Sequence, residues 1–382
     1  MRVKSQPDLR EKIVILGDAA CHEPAGEGEG EVIDPALRCV SYVTTPHGKK
    51  PVLKAMMTTA CENQCHYCAF RAGRSQMRRV TFTPDELASA FDQIQRAKLV
   101  EGIFISSGVV GGGVCVQDKI LAAADLIRNK YHYQGYVHLK VMPTADIEQV
   151  RQATQLGDRV SVNMEAPTPQ RLEFLAPEKD FYEQLLQRLR WIRQIAREGR
   201  VRADATTQFV VGAAGDTDLE LLQLSGWLYR NVGLKRAYYS KFHPEPDTPL
   251  EGLPATSPMR EHRLYQASFL LRDYEWDVEE LPYRADGNLR LDLDPKLAWA
   301  QANLADAPIE VMTAARRDLM RIPGVGPKGA DAIIAARRQG HIATLPDLRA
   351  VGIRAAGRAA PFIVLGGHRP PHQMALPLEY ES

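Results

Sequence analysis

The chain has no apolar run of about 20 residues anywhere in its 382 positions, which excludes a helical membrane span. Net charge is almost absent, formally +1, so the chain as a whole is no polycation. Cysteine is scarce: there are six, an even number that could suggest disulfides, but the clustering of three of them argues against it. The charged start MRVKSQPDLREK has no apolar signal-peptide core after it. These absences predict a cytoplasmic protein with no membrane partner, in a reducing compartment. The hydrophobic fraction is an ordinary 45%, enough for a sizeable core shared between one large and one small domain.

The little cysteine there is lies concentrated. Cys61, Cys65 and Cys68 fall within eight residues, spaced C-x3-C-x2-C, with Tyr67 directly before the last. Thiolates at this density suit a soft, multi-iron site. Three ligands are one short of what a closed [4Fe–4S] cluster or a structural zinc needs, so a cluster held here keeps one iron open. The competing readings are a surface zinc loop and buried thiols. For Cys21, Cys39 and Cys115 the default is buried structural thiols; the alternative, for Cys21 and Cys39 upstream of the motif, is a second cluster.

From residue 51 a regular alternation begins. Strands are predicted at 51–59, 102–107, 137–142, 159–164, 205–212 and 236–241, several of them short apolar runs suited to a parallel sheet covered on both faces. Helices are predicted near 84–98, 117–130, 144–156, 180–198 and 217–231. The first opens on Thr83, Pro84 and Glu86, an N-cap, a first-turn proline and a capping-box acid. Strand–helix alternation of this length implies a parallel α/β sheet with its chemistry at the C-terminal ends of the strands. Residues 1–50, including the acidic GEGEGE at 26–31, show no periodic pattern and read as an N-terminal extension. Four arginines, Arg71, Arg74, Arg78 and Arg79, follow the cysteines and read either as anion binders or as a solvated basic loop. No residue stands out as a catalytic acid or base.

The cysteine spacing, on a loop between the first strand and first helix of a β/α barrel, resembles the signature of the radical SAM superfamily. The resemblance implies a partial (β/α)6 barrel over 51–276, a [4Fe–4S] cluster on Cys61, Cys65 and Cys68, and S-adenosylmethionine (SAM) chelated to the open iron. It also implies reductive cleavage of SAM to a 5′-deoxyadenosyl radical, fed by an electron donor that the sequence does not identify. Cofactor-binding positions carried over from the superfamily are Tyr67, then Ser106, Ser107 and Gly108 at the second strand end, where a glutamate found in other members is missing. Asn163 and Glu165, at alternating positions of the fourth strand, are expected on one face, holding the ribose. Gln208 and the glycine-bearing segment after it are expected near the adenine.

Residues 277–310 read as a connector and 371–382 as a tail. Between them the charge changes: 311–370 holds ten Lys/Arg and three Asp/Glu, a net of +7. That asymmetry points to a module for a polyanion. Arg321, Gly324, Val325, Gly326 and Lys328 lie in RIPGVGPK, which is similar to the helix-hairpin-helix motif; Gly352 and Arg354 belong to a degenerate second copy. The expectation is a small all-α tandem helix-hairpin-helix domain gripping DNA phosphates without base selectivity. The competing use is dimerisation or protein docking. The fused order, with ISSG at 105–108, SVNME at 161–165, VVG at 210–212, DPKLAWA at 294–300 and IPGVGPK at 322–328, resembles a bacterial family described as DNA modification or repair radical SAM proteins. Members accompany a uracil-DNA-glycosylase-like protein, the partner this resemblance implies. Two alternatives stay open: a radical SAM enzyme acting on RNA, a peptide or a small molecule, and a non-catalytic DNA-binding iron–sulfur protein.

Overall fold

The computed structural model describes residues 7–22, 39–45, 48–74, 78–199, 201 and 203–371. The GEGEGE segment, the Cys21 side chain and all of the tail after residue 371 lie outside the described residues. The chain divides into two compact units, one comprising residues up to Asp216 with Trp227–Glu261, the other Thr217–Gly226 with His262 onward.

The first unit is built on a curled sheet of seven strands in sequential order: β1 (Val40–Thr45), β2 (Gly48–Met56), β3 (Gly102–Ser106), β4 (Tyr136–Lys140), β5 (Arg159–Ser161), β6 (Asp204–Val211) and β7 (Arg236–Lys241). From β2 to β7 all pairings are parallel, with Leu53 facing Ile103, Ile103 facing Val137, Leu139 facing Val160 and Phe209 facing Tyr239. These are the six strands expected of a (β/α)6 half-barrel. β3 is buried from end to end, as its unbroken GIFIS run requires. Ile103, Leu139 and Val160 are fully buried, each burial contributing about 1.5–3 kcal/mol.

Helices follow the strands. α1 (Leu9–Asp18) precedes the sheet; α2 (Pro84–Arg96), α3 (Gly113–Asp125), α4 (Ile147–Leu156), α5 (Pro169–Leu175) and α6 (Gln187–Arg197) separate β2 through β6. Thr83 caps α2 as the sequence predicts: its Oγ1 accepts from Glu86 N–H at 3.2 Å, and Glu86 Oε2 accepts from Thr83 N–H at 2.8 Å. Leu87, Ala88, Ala90 and Phe91 form the buried face of α2.

The N-terminal extension is part of this unit. β1 pairs antiparallel with β2, Tyr42 opposite Pro51, and closes the sheet edge. Lys12 of α1 reaches Glu86 at 2.8 Å. Gly17 lies so close to Cys39 that an added Cβ would stand 2.1 Å from the Cys39 Cβ. Cys39 is thus a buried structural thiol, its pKa raised by burial, while Cys115 sits exposed on α3.

The second unit holds α7 (Asp218–Trp227, of which 218–226 belong here), the latter part of α8 (Pro258–Asp273), α9 (Pro295–Asn303), β8 (Ile309–Glu310), α10 (Arg316–Leu319), α11 (Pro327–Ala336), α12 (Leu345–Ala350), α13 (Ala356–Ala359) and β9 (Ile363–Val364). The stretch 277–310 is folded rather than a linker. Leu289 N–H donates to buried Asp218 at 2.9 Å, Leu219 N–H to Gly287 O at 3.0 Å, and Arg263 Nη2 to Leu291 O at 2.9 Å. Those bonds explain why this unit begins at His262 and includes 217–226. Two short helical hairpins, α10–α11 and α12–α13, share one apolar core that includes Leu319, Ile322, Val325, Ile333, Leu348 and Ile353. No described helix is long and apolar enough to cross a membrane.

Candidate active site

The three cysteines occupy the loop between β2 and α2, at the C-terminal end of the sheet. Cys65 is buried; Cys61 and Cys68 are half-buried, and none is bridged. The loop is held at many points. Glu62 N–H donates to Val109 O at 2.7 Å, and the Glu62 carboxylate accepts from Gly111 and Gly112 N–H at 3.0 and 2.8 Å. Gly108 meets the loop so closely that a Cβ would stand 2.3 Å from Ala60 O. On the far side, His66 N–H donates to Leu175 O at 2.7 Å and Gln64 N–H to Glu178 Oε2 at 3.0 Å.

The arginines that follow are largely spent on the same loop. Arg79 Nη1 donates to Thr59 O and Phe70 O, and its Nη2 to Arg71 O, at 2.6–2.8 Å. Arg74 donates to Ala69 O. Exposed Arg78 lies 3.8 Å from Glu11. Arg71 alone keeps a buried Nε without a hydrogen bond.

Two sulfurs receive backbone N–H groups at 3.4 Å, Cys61 from Val109 and Cys68 from Phe70. Burial, then the neighbouring Cys65, pushes the Cys68 thiol up to about 12. Cys65 is also raised by burial, opposed by Lys179.

Residues 56–228 match the family model described as Radical SAM superfamily. This stretch of the chain is a radical SAM domain. Solved structures similar to the chain include methylornithine synthase (PylB), at 15% identity and TM-score 0.48, covering 58% of this chain and 61% of that one. The FeFe-hydrogenase maturase HydG from Carboxydothermus hydrogenoformans is 14% identical at TM-score 0.46, covering 58% and 51%. The cobalamin-dependent S-adenosylmethionine radical enzyme OxsB is 12% identical at TM-score 0.34, covering 75% and 45%. The matches span about half to three-fifths of those chains, too loosely to bear on substrate. No curated protein matches the sequence.

Radical SAM enzymes use a [4Fe–4S] cluster and SAM, and the residues present fit both. Thiolate sulfurs that accept backbone N–H groups are the usual surroundings of an iron–sulfur cluster. Among the described residues no three His, Cys, Asp or Glu side chains converge on a single ion; a cubane takes each thiolate on a different iron. Beside the loop, polar atoms stand buried without hydrogen bonds: Ser107 Oγ, Arg71 Nε and Glu165 Oε2. These are the kinds of group that a polar cosubstrate satisfies. Ser106 is buried at the end of β3, its carbonyl accepting from Met57 N–H at 2.8 Å. The radical SAM strand end is thus occupied by small residues, and Gly108 serves loop packing.

Asn163 and Glu165 do not share a face. β5 stops at Ser161, and Glu165 takes a left-handed conformation, φ +62°, which breaks the strand's alternation. Its backbone bridges β6 instead, with Glu165 N–H to Gln208 O at 2.9 Å and Val210 N–H to Glu165 O at 2.8 Å. Its carboxylate turns to Lys179 Nζ at 2.8 Å and lies against the Tyr67 phenol, whose pKa rises well above normal through burial and then that charge. Asn163 belongs to a separate network in the barrel interior. It accepts from Lys140 Nζ at 2.7 Å and donates to Gln208 at 3.4 Å, and Gln208 donates to Ser240 at 3.1 Å. Phe104 and His138 stack there at 4.0 Å between ring centroids, and burial holds His138 neutral, far below its ordinary pKa. The cavity among these groups is about 10 Å³, room for one water. Beyond β6, Gly212 (φ +92°) is held by Asp216, its N–H donating at 3.0 Å, and a Cβ there would stand 2.2 Å from Thr256 Oγ1.

In the second unit, Gly324 (φ +87°) and Gly352 (φ +99°) make the two hairpin turns, and Gly326 caps the start of α11. Lys328 and Arg354 are exposed. Arg321 and Val325 are not available to a phosphate. Arg321 is buried, paired with both oxygens of Glu280 at 2.6 and 2.7 Å, and its guanidinium lies 4.4 Å from the Trp276 ring centroid. Val325 is a core side chain whose N–H already donates to Ile322 O at 3.0 Å. Of the ten basic residues, Arg316 and Arg317 are also paired with acids, and Arg337 and Arg369 with carbonyls. The other five, Lys328, Arg338, Arg349, Arg354 and Arg358, are exposed.

Sequence reasoning missed Lys179, Glu178 and Lys140. The first two lie on the turn after α5, over a hundred positions from the cysteines they face, and no local spacing marks them.

Proposed function

We propose that the chain is a radical SAM enzyme that acts on DNA, modifying or repairing it. The N–H-supported cysteine loop carries the first half of this reading. The exposed cations of the two hairpins support the second. When bound, the cluster and SAM supply a 5′-deoxyadenosyl radical able to abstract hydrogen from a substrate. The chain's own part is to hold the three thiolates, to offer Ser107 and Glu165 to a polar cosubstrate, and to keep water out with the packed β3–β5 ends. The hairpins read as a helix-hairpin-helix module: Gly324 and Gly326 let a phosphate approach the start of α11, and Lys328 and Arg354 add charge. Such contacts position a strand without reading its sequence, and a target base or sugar reaches a buried site only when extruded or single-stranded. A uracil-DNA-glycosylase-like protein and a low-potential electron donor are the proposed partners.

The test is 5′-deoxyadenosine formation by the anaerobically reconstituted chain under strong reductant, with and without single- and double-stranded DNA. The reading expects formation that rises with DNA and vanishes in Cys65→Ala. Formation indifferent to DNA would remove the DNA half and leave a radical SAM enzyme with another substrate.

A further inference from the structure

Cys65 is the most buried of the three cysteines, and the wall it faces is the turn after α5. Two hydrogen bonds fasten that wall on either side of it: Gln64 N–H to Glu178 Oε2 at 3.0 Å, and His66 N–H to Leu175 O at 2.7 Å. The same turn delivers Lys179, whose ammonium meets Glu165 at 2.8 Å, with both side chains almost wholly buried. Glu165 can be there only because it leaves strand geometry at φ +62°, a conformation costing a non-glycine residue about 1–2 kcal/mol. Burying an ion pair is itself rarely stabilising. Tyr67 lies against the carboxylate, and after burial the strongest influences on the Cys65 sulfur are the charges of Lys179 and Glu165. A costly charge pair is therefore fixed beside a cluster ligand by hydrogen bonds in the neighbouring backbone.

We propose that Lys179 and Glu165 are a redox-positioning pair: the ammonium raises, and the carboxylate lowers, the reduction potential of the cluster held by Cys65. An electron added to the cluster is stabilised by a nearby positive charge and opposed by a negative one, more strongly in a water-poor site. The inference rests on the radical SAM reading and predicts opposite effects from two residues in mutual contact. A merely structural pair would not produce that.

The experiment is a redox titration, followed by electron paramagnetic resonance, of the reconstituted full chain without SAM, with iron and sulfide counted in each sample. Lys179→Met should shift the midpoint to more negative values and Glu165→Gln to more positive ones. Lys179→Arg should stay near wild type. The double variant Lys179→Met/Glu165→Gln leaves no lone buried charge, guards against misfolding, and should return most of the way. Unchanged midpoints, or single-variant shifts of the same sign, with four irons still bound would overturn the pairing. A wild-type chain that binds no iron would sink the radical SAM reading, and the pairing with it.

Discussion

Gly108 and Ala60 touch backbone to backbone: a methyl group on Gly108 would stand 2.3 Å from the Ala60 carbonyl oxygen. The end of β3 is pressed against the residue before Cys61, so the cysteine loop takes its position from a strand nearly fifty residues away. Gly108→Ala must push the loop outward, at a cost of about 1–3 kcal/mol for overpacking. Bound iron after reconstitution should fall severalfold while far-ultraviolet circular dichroism stays unchanged. Full iron occupancy in this variant would show that the loop is positioned by other contacts.

Arg321 is expected to matter for stability rather than for DNA. Arg321→Met removes the two shortest contacts of the Glu280 carboxylate, leaving it Arg317 at 3.2 Å and Asp277 N–H at 2.8 Å, and should destabilise the second unit by about 1–3 kcal/mol, read from urea denaturation. Glu280, whose pKa burial raises but whose hydrogen bonds and Arg321 hold below the usual range, keeps Arg317 and the Asp277 N–H in that variant, so the loss is partial. Arg321→Lys should recover only part, because one ammonium cannot take both oxygens.

On the proposed DNA reading, Lys328→Ala and Arg354→Ala should leave folding untouched and weaken DNA binding to a similar degree for every sequence. If each contacts one phosphate, the slope of log affinity against log salt should shrink by about 1 per substitution. An unchanged slope would count against the two hairpins as a phosphate-binding surface.

Lys296 supplies the pH dependence. Its amine donates to Val325 O in the first hairpin turn and lies 4.7 Å from the Tyr274 ring centroid, and burial lowers its pKa to about 7. The unfolded chain holds that proton up to about pH 10.4. Between about 7 and 10.4 the unfolded state binds more protons, so this group makes stability rise with pH and fall back as pH drops toward 7. The slope of unfolding free energy across that window should be smaller in Lys296→Met than in wild type. Equal slopes would mean that the carbonyl and the ring keep Lys296 charged.

Much of this was legible because local chemistry and tertiary structure agree. All six parallel strands sit where apolar runs place them, and the Thr83–Glu86 box forms as written. The exceptions have identifiable causes. β1 escaped notice because an edge strand needs only a partner, and VSYVTT gains its meaning from pairing with β2. Glu165 was placed on the wrong face because a period of two holds only while φ stays negative. Arg321 looked like a phosphate ligand because its acid, Glu280, is forty-one positions away. Lys179 left no local trace for the same reason: loop closure is decided by packing that a linear pattern does not contain.

The hydrogen bond from Leu289 N–H to Asp218 spans 71 positions. On the ribosome, Asp218 emerges well before its donor. At roughly 5–20 residues per second the delay is on the order of 4–14 s. For that interval Asp218 and Leu219 lack the backbone partners, Leu289 and Gly287, that they have in the finished unit. The second unit is therefore finished only when residues made at two separate times, 217–226 and 262 onward, are both present.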